Sequence, residues 1–203
     1  MNILHLDSSI SGAASVSRQL SASIVARLQG LAPGATVHYH DLAADPLPQL
    51  SPALLAAQLP QASGTAASVT AALAASAAAL DAFMAADVIV IGAPMYNFSI
   101  PSQLKTWIDS IAVAGVTFSY SADGVAGLCG GKRIIIASAR GSVFTAPSPY
   151  AALDHQEIYL RGMFGFLGVQ QVEVVRAEGV AYGPEPRQLA LDAAQADVAA
   201  LAA

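Results

Sequence analysis

The sequence predicts an α/β fold of the doubly wound kind, a five-stranded parallel sheet with helices on both faces. Three observations predict it. Val88-Ile89-Val90-Ile91 is a run of branched apolar residues without a polar break, the pattern of a strand buried on both faces. Four further strand-like stretches alternate with segments of helical periodicity, as parallel strands joined by crossover helices do. The chain has 203 residues, room for one well-filled α/β domain and short for two, so 1–203 is expected to be one domain.

Met1 to Leu6 is the first strand and ends at Asp7. The loop from Asp7 to Ser17 is rich in hydroxyls: Ser8, Ser9, Ser11, Ser15 and Ser17. Val16, Leu20, Ile24, Leu28 and Leu31 then mark a helix face, ended by Pro33 and Gly34. Thr36 to Asp41 is a second strand, with Val37 and Tyr39 alternating with His38 and His40. A proline-rich connection leads to an alanine-rich helix, roughly Thr65 to Ala85. Gly92-Ala93-Pro94 stops the Val88 strand. Ser99 is the expected cap of the next helix, with Pro101 in its first turn; Ile100, Leu104, Trp107, Ile108 and Ile111 share its apolar face. Val116 to Leu128 reads as a hairpin turning at Asp123-Gly124. Arg133 to Ala137 is the fourth buried strand, and a loop to Pro149 leads to a helix ending near Gly168. Val172 to Val175 is the fifth strand; Gly183, Pro184 and Pro186 precede a final alanine-rich helix. Loops suited to a ligand follow the first, third and fourth strands, which favours the flavodoxin-like order 2-1-3-4-5 with a small hairpin insertion.

Composition narrows the partners. The formal charge is −5 with no Lys/Arg cluster, which argues against nucleic acid. Charged residues make up only 11% of the chain, suggesting surface buried against a partner subunit. Cys129 is the single cysteine, so no intrachain disulfide forms, which fits a reducing cytoplasm. The N-terminus lacks the basic region of a signal peptide. Pro46 to Leu80 is uncharged but too proline-interrupted and too weakly apolar to be expected to span a bilayer.

Right-handed crossovers put the carboxyl ends of parallel strands on one edge, so three loops converge there. Hydroxyls and free backbone N–H groups ahead of the first helix make an anion site, to which Arg18 can add charge; simple capping by Ser15 or Ser17 is the alternative. Neither G-x-x-x-x-G-K-[ST] nor G-x-G-x-x-G is present, so a nucleoside triphosphate and a Rossmann dinucleotide are not indicated. Met95-Tyr96-Asn97-Phe98 sets two aromatic rings around one amide, suited to a flat heterocycle with hydrogen-bonding edges, unless the rings fold back on the core. Ser138-Ala139-Arg140-Gly141-Ser142 is the third loop, where Gly141 permits close approach to the backbone. A phosphate site, a stacking loop and a close-approach loop together match flavin mononucleotide (FMN).

The run Gly92-Ala93-Pro94-Met95-Tyr96-Asn97-Phe98-Ser99-Ile100-Pro101-Ser102-Gln103-Leu104-Lys105 resembles the signature of the FMN-dependent NADH-azoreductases, the azoreductase-type NADH:quinone oxidoreductases. Ala114 to Phe118 and Ala177 to Glu185 resemble the same family, and the resemblance spans nearly the whole chain. It implies a flavodoxin-like homodimer in which Ser9, Ser15, Val16 and Ser17 hold the phosphate and Met95, Tyr96, Asn97 and Phe98 hold the isoalloxazine. Where the family's fourth-strand loop reads Ser-Arg-Gly-Gly, this chain has Ala139, Arg140, Gly141 and Ser142, whose backbone donors survive the changes. The implied activity is hydride transfer from NADH through noncovalent FMN to quinones and azo compounds; one shared site predicts ping-pong kinetics, and because Asp7 is the only His, Asp or Glu in the three loops, no side chain is expected as an essential general acid or base.

Other readings are a flavodoxin-type electron carrier without its own substrate, against which the hairpin and aromatic segment argue; a receiver-type module, which lacks its acidic residues; and a hydrolase, which lacks G-x-S-x-G. His38 and His40 share a strand face with no third metal ligand nearby, an exposed face rather than a metal site. His5 reads as a core histidine, His155 as surface or interface, and Cys129 as structural. Tyr150, Tyr159, Met163, Phe164 and Phe166 read mostly as core, with one or two available to a substrate pocket.

Overall fold

The computed structural model describes residues 1–57 and 66–202. Its chain runs β1 (Asn2–Asp7), α1 (Val16–Leu31), β2 (Thr36–Asp41), α2 (Pro52–Ala57), α3 (Ala67–Ala85), β3 (Val88–Pro94), α4 (Ser102–Ile111), β4 (Phe118–Ser121), β5 (Gly124–Gly127), β6 (Arg133–Ala139), α5 (Glu157–Phe166), β7 (Gln171–Ala177) and α6 (Pro184–Ala200). Five strands pair in parallel in the order β2-β1-β3-β6-β7, which is 2-1-3-4-5 once the β4–β5 hairpin is set aside. The register is level: Asp7 faces Gly92, Pro94 faces Ala139, and Ala139 faces Ala177. The connections after β1, β3, β6 and β7 therefore leave from one edge.

Alternation along each strand divides the core into two layers. Leu4, Leu6, Ile89, Ile91, Ile134 and Ile136 lie under α3, α4 and α5, where Phe83, Trp107, Ile108, Leu160 and Phe164 cover them. Ile3, Val88, Val90, Ile135, Ala137 and Val175 lie under α1 and α6, against Leu20, Ile24, Leu28, Ala194 and Val198. Burying an aliphatic side chain this fully contributes about 1.5–3 kcal/mol, so the two layers dominate the drive to fold. At the end of β3 the sheet tolerates no side chain: a Cβ at Gly92 would collide with the buried Asp7 carboxylate.

Several local expectations are corrected. The Asp123-Gly124 turn is shifted by one residue, because Ser121 pairs with Gly124 and the loop is Ala122-Asp123. Ser138 and Ala139 belong to β6, so the third loop begins at Arg140. The proline-rich connection contains the short helix α2, and Thr65 lies outside the described residues. Pro184 and Pro186 do not precede α6 but stand in its first turn, where a missing N–H costs little. β2 is an exposed edge, and Val37 and Tyr39 are both solvent-accessible. α3 has 19 residues and, by length and composition alone, is long and apolar enough to cross a bilayer; here Ala79 and Phe83 bury against the sheet layer and most of its surface stays open.

Candidate functional site

Ser15 caps α1, its hydroxyl accepting the Arg18 N–H at 3.3 Å and pairing with Ser17 Oγ at 3.1 Å. The N–H groups of Val16 and Ser17, first in the helix, have no intrahelical acceptor and remain as donors. Ser9 is buried behind them, and its hydroxyl lies 3.3 Å from the Tyr96 hydroxyl. Tyr96 also accepts the Ile10 N–H at 3.2 Å, which ties the serine loop to the loop after β3.

That second loop is a tight reversal. Tyr96 and Ser99 exchange backbone hydrogen bonds at 2.9 and 3.1 Å, and the two residues between them, Asn97 and Phe98, have φ of 48° and 71°. Two consecutive positive φ angles are those of a type I′ turn, for which Asn is well suited and Phe is not. Ser99 is thus a turn residue and not the helix cap, a place Pro101 takes. The turn presents Phe98 outward, 45% exposed and edge-on to Phe144 at 6.1 Å; Tyr150 continues the aromatic wall at 6.4 Å from Phe144.

Met95 N–H donates to Ala139 O at 2.8 Å and Arg140 N–H to Ala177 O at 2.9 Å, joining the third loop to both neighbours. A fourth connection, after β7, closes the group: Gly179, Val180 and Ala181 donate to the carbonyls of Ser142, Arg140 and Gly141. The Gly141 and Ser142 N–H groups have no acceptor among the described residues. They do not adjoin a helix N-terminus, because α5 begins at Glu157 and Asp154 already accepts its Gln156 and Glu157 N–H groups.

Of the twelve residues singled out from the sequence, Ser9, Ser15, Val16, Ser17, Met95, Tyr96, Ala139 and Gly141 line one cleft of about 180 Å³. Asn97 and Phe98 stand outside it on the exposed turn, and Ser142 is held by the β7 loop. The Arg140 guanidinium points inward. It is 1% exposed, paired with Asp154 at 2.8 Å, Glu157 at 2.6 Å and Glu178 at 3.0 Å, and bonded to Gln156. Arg18 is also occupied, by Asp41, Tyr39 and the Ser9 carbonyl, and does not reach the cleft. Sequence reasoning missed Val180 and Arg187 of the same cleft. The available signal was topological: the end of a fifth parallel strand must share the edge of the other four.

No His, Asp or Glu lines the cleft among the described residues. Asp7 is buried beneath it, accepting from Ser21 at 2.8 Å and from Tyr39 at 3.1 Å. Burial pushes the His5 imidazole below its ordinary value despite Asp7 beside it, as befits the core histidine expected. Cys129 is buried and burial raises its thiol, leaving it inert. His38 is exposed, His40 is partly covered, and no group of three metal-binding side chains occurs among the described residues. Larger clefts, about 480 Å³ by β2 and α3 and about 630 Å³ among α2, α3 and α4, lie away from the carboxyl ends of the strands. Hydroxyls, unpaired N–H groups and a guanidinium, with no carboxylate, are the donor set of a bound phosphate; an exposed aromatic turn beside them suits a flat ring. The residues present fit FMN.

Known proteins resemble the chain along its whole length. The pattern of the flavodoxin-like fold matches residues 1–202. An FMN-dependent NADH:quinone oxidoreductase of Methylocella silvestris is 57% identical over 191 residues, 94% of each chain, and one from a Bradyrhizobium species is 55% identical over the full length of both. Among solved structures, an azoreductase from Bacillus anthracis superposes with a TM-score of 0.88 at 29% identity, covering 98% of this chain and 97% of that one. An FMN-dependent NADH-azoreductase from the same species, solved in complex with FMN, gives 0.87 at 27% identity over all of both chains. Matched along its whole length by relatives more than half identical to it, the chain belongs to the family of FMN-dependent NADH:quinone oxidoreductases, built on the flavodoxin-like fold.

Proposed function

We propose that this chain, as one flavodoxin-like domain, binds FMN noncovalently and passes electrons from NADH to quinones and to azo compounds, which it cleaves to aromatic amines. The observation that carries the reading is the cleft at the strands' carboxyl ends, lined by serines and an arginine and free of carboxylates. Bound FMN supplies the two-electron chemistry between donor and acceptor. The protein's residues bind and orient. Ser9, Ser15, Ser17 and the N–H groups of Val16 and Ser17 receive the phosphate, helped by the α1 dipole. Met95, Tyr96, Asn97 and Phe98 carry the ring, and the free N–H groups of Gly141 and Ser142 serve as donors to negative charge on its polar edge. Phe98, Phe144 and Tyr150 give flat, apolar substrates a wall to stack on. With no His, Asp or Glu lining the cleft among the described residues, no side chain acts as an essential general acid or base.

A cleft of about 180 Å³ is smaller than the roughly 300–1,000 Å³ of a complete small-molecule site. A second copy of the chain completes it. Apolar surface for such an interface lies on α2 and just before it, where Leu55 and Leu50 are more than half exposed. The lone, unpaired thiol of Cys129 suits a cytoplasmic protein.

Donor and acceptor share one stacking wall and must occupy it in turn, so the kinetics are expected to be ping-pong. Initial rates with NADH varied at several fixed quinone concentrations should give parallel double-reciprocal lines. Intersecting lines would mean that both substrates bind together, and no turnover would remove the enzymatic reading.

A further inference from the structure

The phosphate of FMN carries close to two negative charges, and the cleft must answer them. The arginine nearest in sequence does not. All five N–H donors of an arginine are spoken for at Arg18: Nε and Nη2 donate to Ser9 O at 3.1 and 2.7 Å, Nη2 to Asp41 Oδ1 at 2.7 Å, and Nη1 to Asp41 Oδ2 at 2.7 Å and Tyr39 Oη at 3.2 Å. The Asp41 carboxylate cancels its charge as well, and Arg18 lines no part of the cleft.

Arg187 differs on each count. It sits in the first turn of α6 and lines the cleft together with Ser9, Ser15 and Ser17. Among the described residues it has no ion pair with any carboxylate, and its one side-chain hydrogen bond is a long one, 3.3 Å from Nη2 to Ala14 O in the serine loop. Its other donors have no partner among the described residues. The α6 terminus itself offers little to an anion: Pro184 and Pro186 have no N–H, the Arg187 N–H is bonded to Gly183 O at 3.1 Å, and the Glu185 carboxylate already offsets the positive end of the helix dipole. The one strong anion-seeking group that α6 brings to the cleft is the Arg187 guanidinium.

We propose that Arg187 is the counter-charge of the cofactor phosphate, closing the cleft from α6 and making it select FMN over uncharged riboflavin. The proposal rests on the FMN reading given above and adds to it the residue that sets the preference. In binding, the guanidinium turns from the Ala14 carbonyl to the phosphate oxygens, so α6 and the serine loop are bridged by the ligand. Planar donors suit a phosphate in pairs, which a lysine matches in charge but not in geometry.

The test is fluorescence titration of the full-length protein with FMN and with riboflavin, comparing wild type, Arg187→Gln and Arg187→Lys. Arg187→Gln should weaken FMN about tenfold to hundredfold, the effect of a lost charged hydrogen bond. Riboflavin affinity should not change, and Arg187→Lys should recover part of the loss. The gap between wild type and Arg187→Gln should narrow as salt is raised. FMN binding left intact in Arg187→Gln overturns the proposal, and so does an equal loss for both flavins, which would mark a purely structural role. A wild type that binds no FMN would instead overturn the functional reading on which it stands.

Discussion

Phe98 holds a left-handed backbone conformation that costs a residue with a side chain roughly 1–2 kcal/mol, while its ring is 45% exposed. Strain of this kind persists where function requires it. Phe98→Gly should therefore raise the unfolding free energy by about 1 kcal/mol in urea denaturation, yet raise KM for flat acceptors and loosen FMN. A variant both less stable and fully active would mean that the ring is there only for its contact with Phe144. The opposite trade holds at Gly92, where Gly92→Ala drives a methyl into the Asp7 carboxylate and crowds Ser21. Overpacking of this sort costs about 1–3 kcal/mol, read as a lowered Tm. The aromatic-amide character of the Tyr96–Phe98 segment was legible in the sequence, but its turn was not. Asn-Gly announces a type I′ turn; Asn-Phe hides one, because Phe is the wrong residue for the second position.

The β6–α5 loop is held by charge. Two guanidiniums, Arg140 and Arg176, face three carboxylates, Asp154, Glu157 and Glu178. Burial pushes Glu157 up, but the Arg176 hydrogen bonds and the charges of Arg140 and Arg176 outweigh it and hold its carboxyl below the ordinary value. Burial likewise raises Glu178, outweighed by the Thr145 hydroxyl, the Phe144 N–H and Arg140. A carboxylate depressed in the folded state contributes stability that is complete above its unfolded pKa. That contribution is lost as pH falls from about 4.3 through the folded value. Tm should therefore drop steeply below about pH 4.3, with the flavin released as the loop comes free. Arg140→Met leaves the buried Glu157 and the partly buried Asp154 and Glu178 with one guanidinium and should cost about 3–5 kcal/mol; an unchanged Tm at pH 7 would show the network to be dispensable. The sequence placed Arg140 at the right loop with no means of aiming its side chain. Its partners lie 14 to 38 residues downstream and meet it only once β6, α5 and β7 have packed. Capping misled for a related reason: Ser99 has the right chemistry for a cap, but its backbone is already committed to Tyr96.

The sheet order and both core layers follow from patterns visible along the chain, since continuous apolar strands and amphipathic helices leave few ways to stack. What the chain did not reveal is where its apolar surface ends. β2 is an open edge, and α3 buries little more than Ser76, Ala79 and Phe83. A homodimer covering the α2–α3 face would explain this excess, so light scattering at micromolar concentration should give twice the monomer mass of 20.6 kDa. A fully active monomer would show that one chain completes the site.

FMN held at the carboxyl edge of this sheet should pass electrons from NADH to a quinone. The most direct test is the visible spectrum of the purified protein under anaerobic conditions, with NADH and then a quinone added in turn. The bands of an oxidised flavin should be present, vanish with one equivalent of NADH per site and return with one equivalent of quinone. A colourless protein that cannot be loaded with FMN, or flavin bands that NADH leaves untouched, would contradict the account.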